Sequence, residues 1–544
     1  MMHRRNFLTL SGLAGFATLP AIGEVLQQSF NIVDFGAQPG GRLLNTRSLQ
    51  KAIDQAFEAG GGAVSVPPGI FLTGGLVLRS RVTLYLQAGA VLRGSTDVND
   101  YEYHAGPPQE GDANGRHLIF ARDAEDIAIV GQGTIDGQGF AFWHRKGRPR
   151  PKPEEMWGDV IAWDYEPATQ RRPSPMLEFA YCKNVRVEGV TLTNAAGWTM
   201  RPIACESVYI RGIRVRNPIF APNTDGMDLT ACRNVFVSDC DIATGDDAIC
   251  IKSENSYGEL LPTKNITVTN CVLSTCCNGF KIGTATHGLV ENIVFSNSVI
   301  YNDDATPLNE RATSGIALEM VDGGTLDGVT ISNIRMQNAR TPIFIRLGKR
   351  TPGAASYLRN VMISGVNATG AIVTSSITGV PGMPVEDITL ADISIETSEH
   401  GRPEWTQHSV PEQAANYPEA RMFGRLSASG LYVRHVNRVR LCNLRLKAEA
   451  PDVRPAVVCD DVHDLDISGL RATTPAEGQP VIALHDSSDV FVHGCKAPKD
   501  TQTFVQVSGA SSTGIVLLGN DLSQAAQPVV LKDGAVAASV SSRF

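Results

Sequence analysis

Three aspartates carry the chemistry open to this chain: Asp225 in the segment NTDGMDL, and the adjacent pair Asp246 and Asp247 in TGDDAICIK. Cleaving a glycosidic bond needs a protonated carboxyl that donates to the leaving oxygen and an ionised one that activates water or attacks carbon. Crowded acids supply both forms, because mutual repulsion raises the pKa of one of them. Acidic turns also serve as polar ladders or calcium sites. What separates these readings is whether the fold gathers the two segments on one face.

The elements that would gather them are legible as a repeat. Twelve copies recur from residue 185 onward: VRVEGVTL, VYIRGIRV, VFVSDCDI, ITVTNCVL, IVFSNSVI, VTISNIRM, VMISGVNA, ITLADISI, VRLCNLRL, LDISGLRA, VFVHGCKA and IVLLGNDL. The fifth place is always Gly, Asn or Asp, the types that best tolerate positive φ, so each copy reads as two short strands meeting at a left-handed bend. The bend returns about every 23 to 36 residues, with one longer gap, and no helical pattern intervenes. A β-sandwich, the competing all-β fold, would place hairpin turns about every 8 to 12 residues. The expected fold is therefore all-β, a single-stranded right-handed parallel β-helix. Adjacent coils stack about 4.8 Å apart, so residues one period apart become neighbours and the three aspartates should cluster.

SLQKAIDQAFEAGG places Leu49, Ala52, Ile53, Ala56 and Phe57 at helical spacing and stops at a glycine run. A short helix there can cap the open end of the solenoid, whose edge otherwise exposes unpaired strand groups. The segment 401–428, rich in Pro, charge and aromatics, interrupts the repeat and reads as a long loop over one face, either lining a groove or merely packed.

The chain has 544 residues, 42% hydrophobic and 19% charged. That length usually implies several domains, but a solenoid grows its core along one axis, so one domain over 24–544 is expected. With 48 basic and 56 acidic residues and a formal charge of −8, nucleic acid is not an expected partner, whereas a local basic cleft still admits an acidic polysaccharide. The start, HRRNFLTLSGLAGFATLPAIG, pairs Arg4 and Arg5 with Phe7, Leu8, an apolar run and small residues up to Gly23. It reads as a twin-arginine-type export signal over 1–23. The competing membrane anchor would need about 20 apolar residues. The expected location is periplasmic or extracellular, with no membrane attachment once the signal is removed, as a monomer. Eleven cysteines are an odd number without small-scaffold spacing, and Cys240 and Cys271 hold equivalent places in successive copies, which points to stacked free core cysteines. There is no CxxC or HExxH, and Cys276 and Cys277 are adjacent, so no metal site is expected.

FNIVDFGAQPGG, VPPGIFLTGGLVL and GTIDGQG, followed by FAPNTDGMDL, IATGDDAICIKS and NGFKIGT, resemble glycoside hydrolase family 28, the polygalacturonases, within the pectate-lyase-like β-helix superfamily. The N-terminal pieces are shared widely across that superfamily, whereas NTDG followed by GDD is specific. The resemblance implies an inverting hydrolysis of a pectin-like polysaccharide without cofactor or metal. Asp246 would be the general acid, Asp225 and Asp247 would activate water, and Asn223 would contact substrate. Inversion implies donor and base roughly 6.5 to 9.5 Å apart.

Two departures stand out. Where the family has Gly-His-Gly, this chain has Cys277-Asn278-Gly279, and the Arg-Ile-Lys that grips a uronate aligns with Ala317-Leu318-Glu319. Asn278 can hydrogen-bond but not titrate, and Glu319 would repel a galacturonate. Lys252 and Lys281 are candidate replacements for the lost cations, or else solvated lysines. Arg346 is a weaker candidate, and Trp198 and Arg201 could stack on and bind a sugar unless Trp198 is a core aromatic. These departures favour an exo-acting or rhamnogalacturonan-type specificity. A polysaccharide lyase of the same superfamily and a non-catalytic carbohydrate-binding β-helix are the alternative functions.

Overall fold

The computed structural model describes residues 29–104, 114–145, 165–167, 171–254, 257–406 and 409–543. The export signal expected over 1–23 lies outside them. Several repeat copies are pairs of strands meeting at the fifth residue: Lys183–Glu188 and Thr191–Thr193 meet at Gly189, and Arg233–Ser238 and Asp241–Thr244 meet at Asp239. In four others, as in Leu289–Tyr301 and Val385–Thr397, one continuous strand runs through the bend. All twelve fifth-place residues have positive φ, from 51° at Asn297 to 76° at Gly189. A third strand completes each coil and pairs in parallel with its counterpart in the next. Met227–Thr230 thus joins Ile249–Ser253, which joins Asn278–Thr286, then Ser314–Met320, then Thr341–Leu347. The architecture is the right-handed parallel β-helix.

Period-two alternation sends one set of side chains inward, and they form one apolar core that runs from Ile32 to Leu522. Cys240 and Cys271 lie buried in it in successive coils. Cys182 and Cys205 stack similarly, the backbone N–H of each meeting the sulfur of the next coil's cysteine at 3.3 and 3.4 Å. The helix Thr46–Glu58 buries Leu49, Ala52, Ile53 and Ala56 over the first coils. Phe57 departs from the expected apolar face: it is 40% exposed, with the Arg81 guanidinium over its ring.

A second bend lies five positions before each of the first, again at Gly, Asn or Asp in all copies but two. Asn184, Ser207, Asn234, Asn265 and Asn292 all have positive φ there. Side-chain amides climb this column from coil to coil, with Asn265 donating to Asn234 at 2.9 Å and Asn292 to Asn265 at 3.1 Å. Ser207 and Arg438 occupy equivalent places with φ of 60° and 58° and are the two exceptions to the Gly, Asn or Asp pattern. A left-handed conformation costs an ordinary residue about 1–2 kcal/mol, which Asn offsets by local hydrogen bonding. Ser207→Asn, between Asn184 and Asn234, is therefore expected to stabilise the fold by about 0.5–1 kcal/mol, seen as a higher denaturation midpoint. An unchanged or lower midpoint would contradict this account of the column.

Between the strands Val385–Thr397 and Leu431–Cys442 the chain leaves the solenoid and folds back over its outside. Ala420, Phe423, Leu426 and Ala428 of this insertion pack on Ala317, Phe344, Tyr432 and Val458, which stand in line on four coils, with Ser376 of a fifth between Phe344 and Tyr432. The insertion thus roofs one face of the helix.

Candidate active site

The motif aspartates sit in turns that enter the third strand of successive coils. Asp225 precedes Met227–Thr230, while Asp246 and Asp247 lie between Asp241–Thr244 and Ile249–Ser253. Backbone bonds stack these turns: Thr199 N–H donates to Asp225 C=O, Gly226 N–H to Asp247 C=O and Ala248 N–H to Asn278 C=O, each at 2.9 Å. The stack is tight, because a Cβ at Gly226 would lie 2.4 Å from the carbonyl oxygen of Ala248. The motif glycine is required by this close approach.

The three aspartates open into one cavity of about 650 Å³ beneath the insertion, together with Trp198, Asn223, Lys252, Asn278 and Lys281. The insertion contributes Tyr417, Pro418, Glu419 and Met422 to its wall, and Glu254 and Arg350 complete the charged lining. These residues carry no repeat signature, and only the interruption at 401–428 pointed towards the first four. Tyr417 is 55% exposed, and its ring lies under the cations of Lys281 and Arg350 at 5.6 and 5.5 Å.

Three other candidates fall elsewhere. Arg201 is fully buried and forks onto Glu178 at 3.0 and 2.7 Å. It forms a buried ion pair on the preceding coils and does not reach the cavity. Arg346 is 1% exposed and donates to the backbone oxygens of Gly379 and Glu412 at 2.9 and 2.6 Å, so it anchors the insertion. Glu319 is 1% exposed and lies 3.5 Å from the Lys281 ammonium, so its charge is met behind the cavity wall and not presented to a ligand. Ala317, where a uronate-gripping arginine was expected, lies under the insertion. The insertion's apolar side needs a small residue there. Lys252 lies over the Trp198 ring at 5.4 Å and 3.9 Å from Asp228, a buried carboxylate in the same site that sequence reading overlooked.

The environments drive the carboxyls apart. Burial and then the charge of Asp247 push Asp246 up to about 7. Burial would raise Asp247 as well, but Lys281 and the Asn278 amide together hold it below its ordinary value. Asn278 donates to Asp247 Oδ1 from its side chain at 2.7 Å and from its backbone at 3.1 Å, while Lys281 Nζ lies 3.0 Å from Oδ2. Burial and then Asp246 raise Asp225 well above the usual carboxylate range. A carboxylate oxygen from each of Asp246 and Asp247 and the Cys277 sulfur lie within 4.8 Å of one another. Burial keeps that thiol protonated and Lys281 already neutralises Asp247, so the cluster suits the division of protons between an acid and a base better than cation ligation.

Residues 63–416 match the family model for glycosyl hydrolases family 28. Tyr417, Glu419 and Met422 therefore lie past the matched span. A probable polygalacturonase of Vitis vinifera is 27% identical over 391 residues, 68% of this chain and 74% of that protein. An endo-polygalacturonase of Pectobacterium carotovorum subsp. carotovorum is 27% identical over 306 residues, 55% of this chain and 71% of its own. Among solved structures, a hyperthermoactive exopolygalacturonase from Thermotoga maritima superposes with a TM-score of 0.56 at 26% identity, covering 68% of this chain and 87% of that one. A family 28 exopolygalacturonase from Yersinia enterocolitica shares the fold at 23% identity and a TM-score of 0.56, over 85% of this chain and 78% of that one. With a continuous match through both aspartate motifs, on the solenoid that stacks them, this chain belongs to glycosyl hydrolases family 28 and is a hydrolase of glycosidic bonds.

Proposed function

We propose that the chain hydrolyses pectin-type polysaccharide or its oligosaccharides with inversion, in the cavity under the insertion. The carrying observation is the convergence of Asp225, Asp246 and Asp247 on one cavity, with the Asn278 amide on one oxygen of Asp247 and the Lys281 ammonium on the other. Asp246 gives its proton to the glycosidic oxygen as the bond to the anomeric carbon breaks. Water attacks that carbon from the opposite face and passes its proton to the Asp247 carboxylate, with Asp225 orienting the water. Asp246 and Asp247 approach within 4.8 Å, closer than the roughly 6.5 to 9.5 Å usual for an inverting pair, so the anomeric configuration of the product is the deciding measurement. The insertion closes over the site, which favours an exo-acting or rhamnogalacturonan-type specificity. Export by the segment 1–23 and a single catalytic domain over 24–544 complete this reading. Among the described residues no helix is long and apolar enough to cross a membrane.

The test is to incubate the purified chain with polygalacturonan, rhamnogalacturonan and their oligosaccharides, following new reducing ends, product size and anomeric configuration. Saturated products of inverted configuration are expected. An unsaturated, ultraviolet-absorbing uronate at the new end would assign a lyase instead, and the absence of any new reducing end would leave only carbohydrate binding.

A further inference from the structure

Lys281 lies at a junction that the two departures from the family pattern create together. Its ammonium is 3.0 Å from Asp247 Oδ2 and 3.5 Å from Glu319 Oε2, and it donates to the Tyr417 hydroxyl at 3.4 Å. The side chain is 3% exposed, so it has little surface left for a substrate. Its register partner in the next coil is Ala317. An arginine at that position would set a like charge about 4.8 Å away and crowd the ammonium. Small Ala317, cationic Lys281 and Glu319, whose carboxyl burial pushes up to about 7 against the pull of Lys281, thus form one mutually consistent arrangement.

We propose that Lys281 is a positioning residue for hydrolysis, fixing the Asp247 carboxylate for the attacking water, and that Glu319 holds the lysine in place. The proposal rests on the assignment of Asp247 as the group that activates water. Asn278 occupies Oδ1 and Lys281 occupies Oδ2, so the carboxylate is oriented from both sides by the following coil. The other charged or titratable groups facing Asp247 are Asp225 and Asp228 from the preceding coil, Asp246, Cys250 and Lys252 from its own, and Cys276 and Cys277 from the next. Glu319 and Tyr417 lie beyond. Lys252 is the only other cation in this set, and it is directed to Asp228. Removing Lys281 therefore leaves Asp247 with the Asn278 amide and the more distant Lys252 to favour its charged form.

The test compares Lys281→Met, Lys281→Arg and the double variant Lys281→Met with Glu319→Gln, which removes the orphaned acid should the single variant fail to fold. Steady-state kinetics are followed across pH on whichever pectic oligosaccharide the wild type cleaves. The Met variants are expected to lose about 100-fold in kcat, with KM changed less than about threefold. Their acidic limb of kcat/KM should move up by about one pH unit, because Asp247 then takes its proton more readily. Lys281→Arg should restore most of the rate and the wild-type limb. A rise in KM with kcat and limb unchanged would make Lys281 a substrate ligand and overturn the proposal, as would an unshifted limb in the folded double variant. Asp247→Asn separates the two readings: if it retains wild-type kcat, the assignment of Asp247 itself fails, whatever the lysine variants show.

Discussion

Asp246→Asn is expected to lower kcat by about 10²- to 10⁴-fold, the contribution of a positioned general acid, while leaving KM and the melting temperature close to wild type. Asn is nearly isosteric, and it still accepts the Asp247 backbone N–H that Asp246 accepts at 2.8 Å, but it has no proton to give a departing sugar oxygen. The sign of the pH dependence follows from the same carboxyls. Wild-type activity should fall as pH rises through about 7, where Asp246 loses the proton that burial and Asp247 retain on it. It should fall on the acidic side only below the ordinary carboxylate range, where Asp247, lowered by Lys281 and Asn278 against burial, finally protonates. In Asp246→Asn the alkaline limb should disappear. An aryl glycoside whose leaving group needs no protonation should be affected far less than the natural linkage. Retention of more than a third of wild-type kcat on polysaccharide would remove Asp246 from the mechanism.

Gly245→Ala is expected to damage both stability and rate, although it adds a single methyl. A Cβ at Gly245 would lie 2.2 Å from the carbonyl oxygen of Ala221 and 2.7 Å from that of Pro218. These are backbone atoms of the preceding coil and cannot swing aside. Overpacking of this kind costs about 1–3 kcal/mol. The relief available is a shift of the turn that carries Asp246 and Asp247, and a displacement near 1 Å at a reacting group can cost about 100-fold in rate. Gly212→Ala provides the contrast, since its φ is 60° and nothing lies within 4 Å of the added atom. It should lose about 1 kcal/mol from the left-handed bend and keep full kcat. Equal behaviour of the two variants in denaturation and kinetics would refute the steric account of the GDD turn.

How much of this was legible in the residues depends on the range over which each feature is encoded. The first bend was visible because Gly, Asn and Asp recur at the fifth place of every copy, and all twelve do adopt positive φ. The second bend carries the same residue types in ten copies and was equally legible there, while Ser207 and Arg438 adopt the same conformation under the constraint of the neighbouring coils. Trp198, Asn223, Lys252, Asn278 and Lys281 join the aspartates as expected because they flank the motifs. Arg201 and Arg346 lie away from the cavity, because a strand residue's face is local, whereas what covers that face is not. Glu178 one coil earlier takes the first, and the insertion takes the second.

Alternation, spacing and turn-forming types by themselves thus determined the solenoid, its direction of stacking and the convergence of Asp225, Asp246 and Asp247, since these follow from backbone periodicity alone. The tertiary structure alone decided which acid is paired and which is left to hold a proton. That outcome depends on side chains from four coils and a returning insertion meeting within a few ångströms, where burial amplifies each charge. Lys281 and Asn278 reach Asp247 and leave Asp246 to the effect of desolvation.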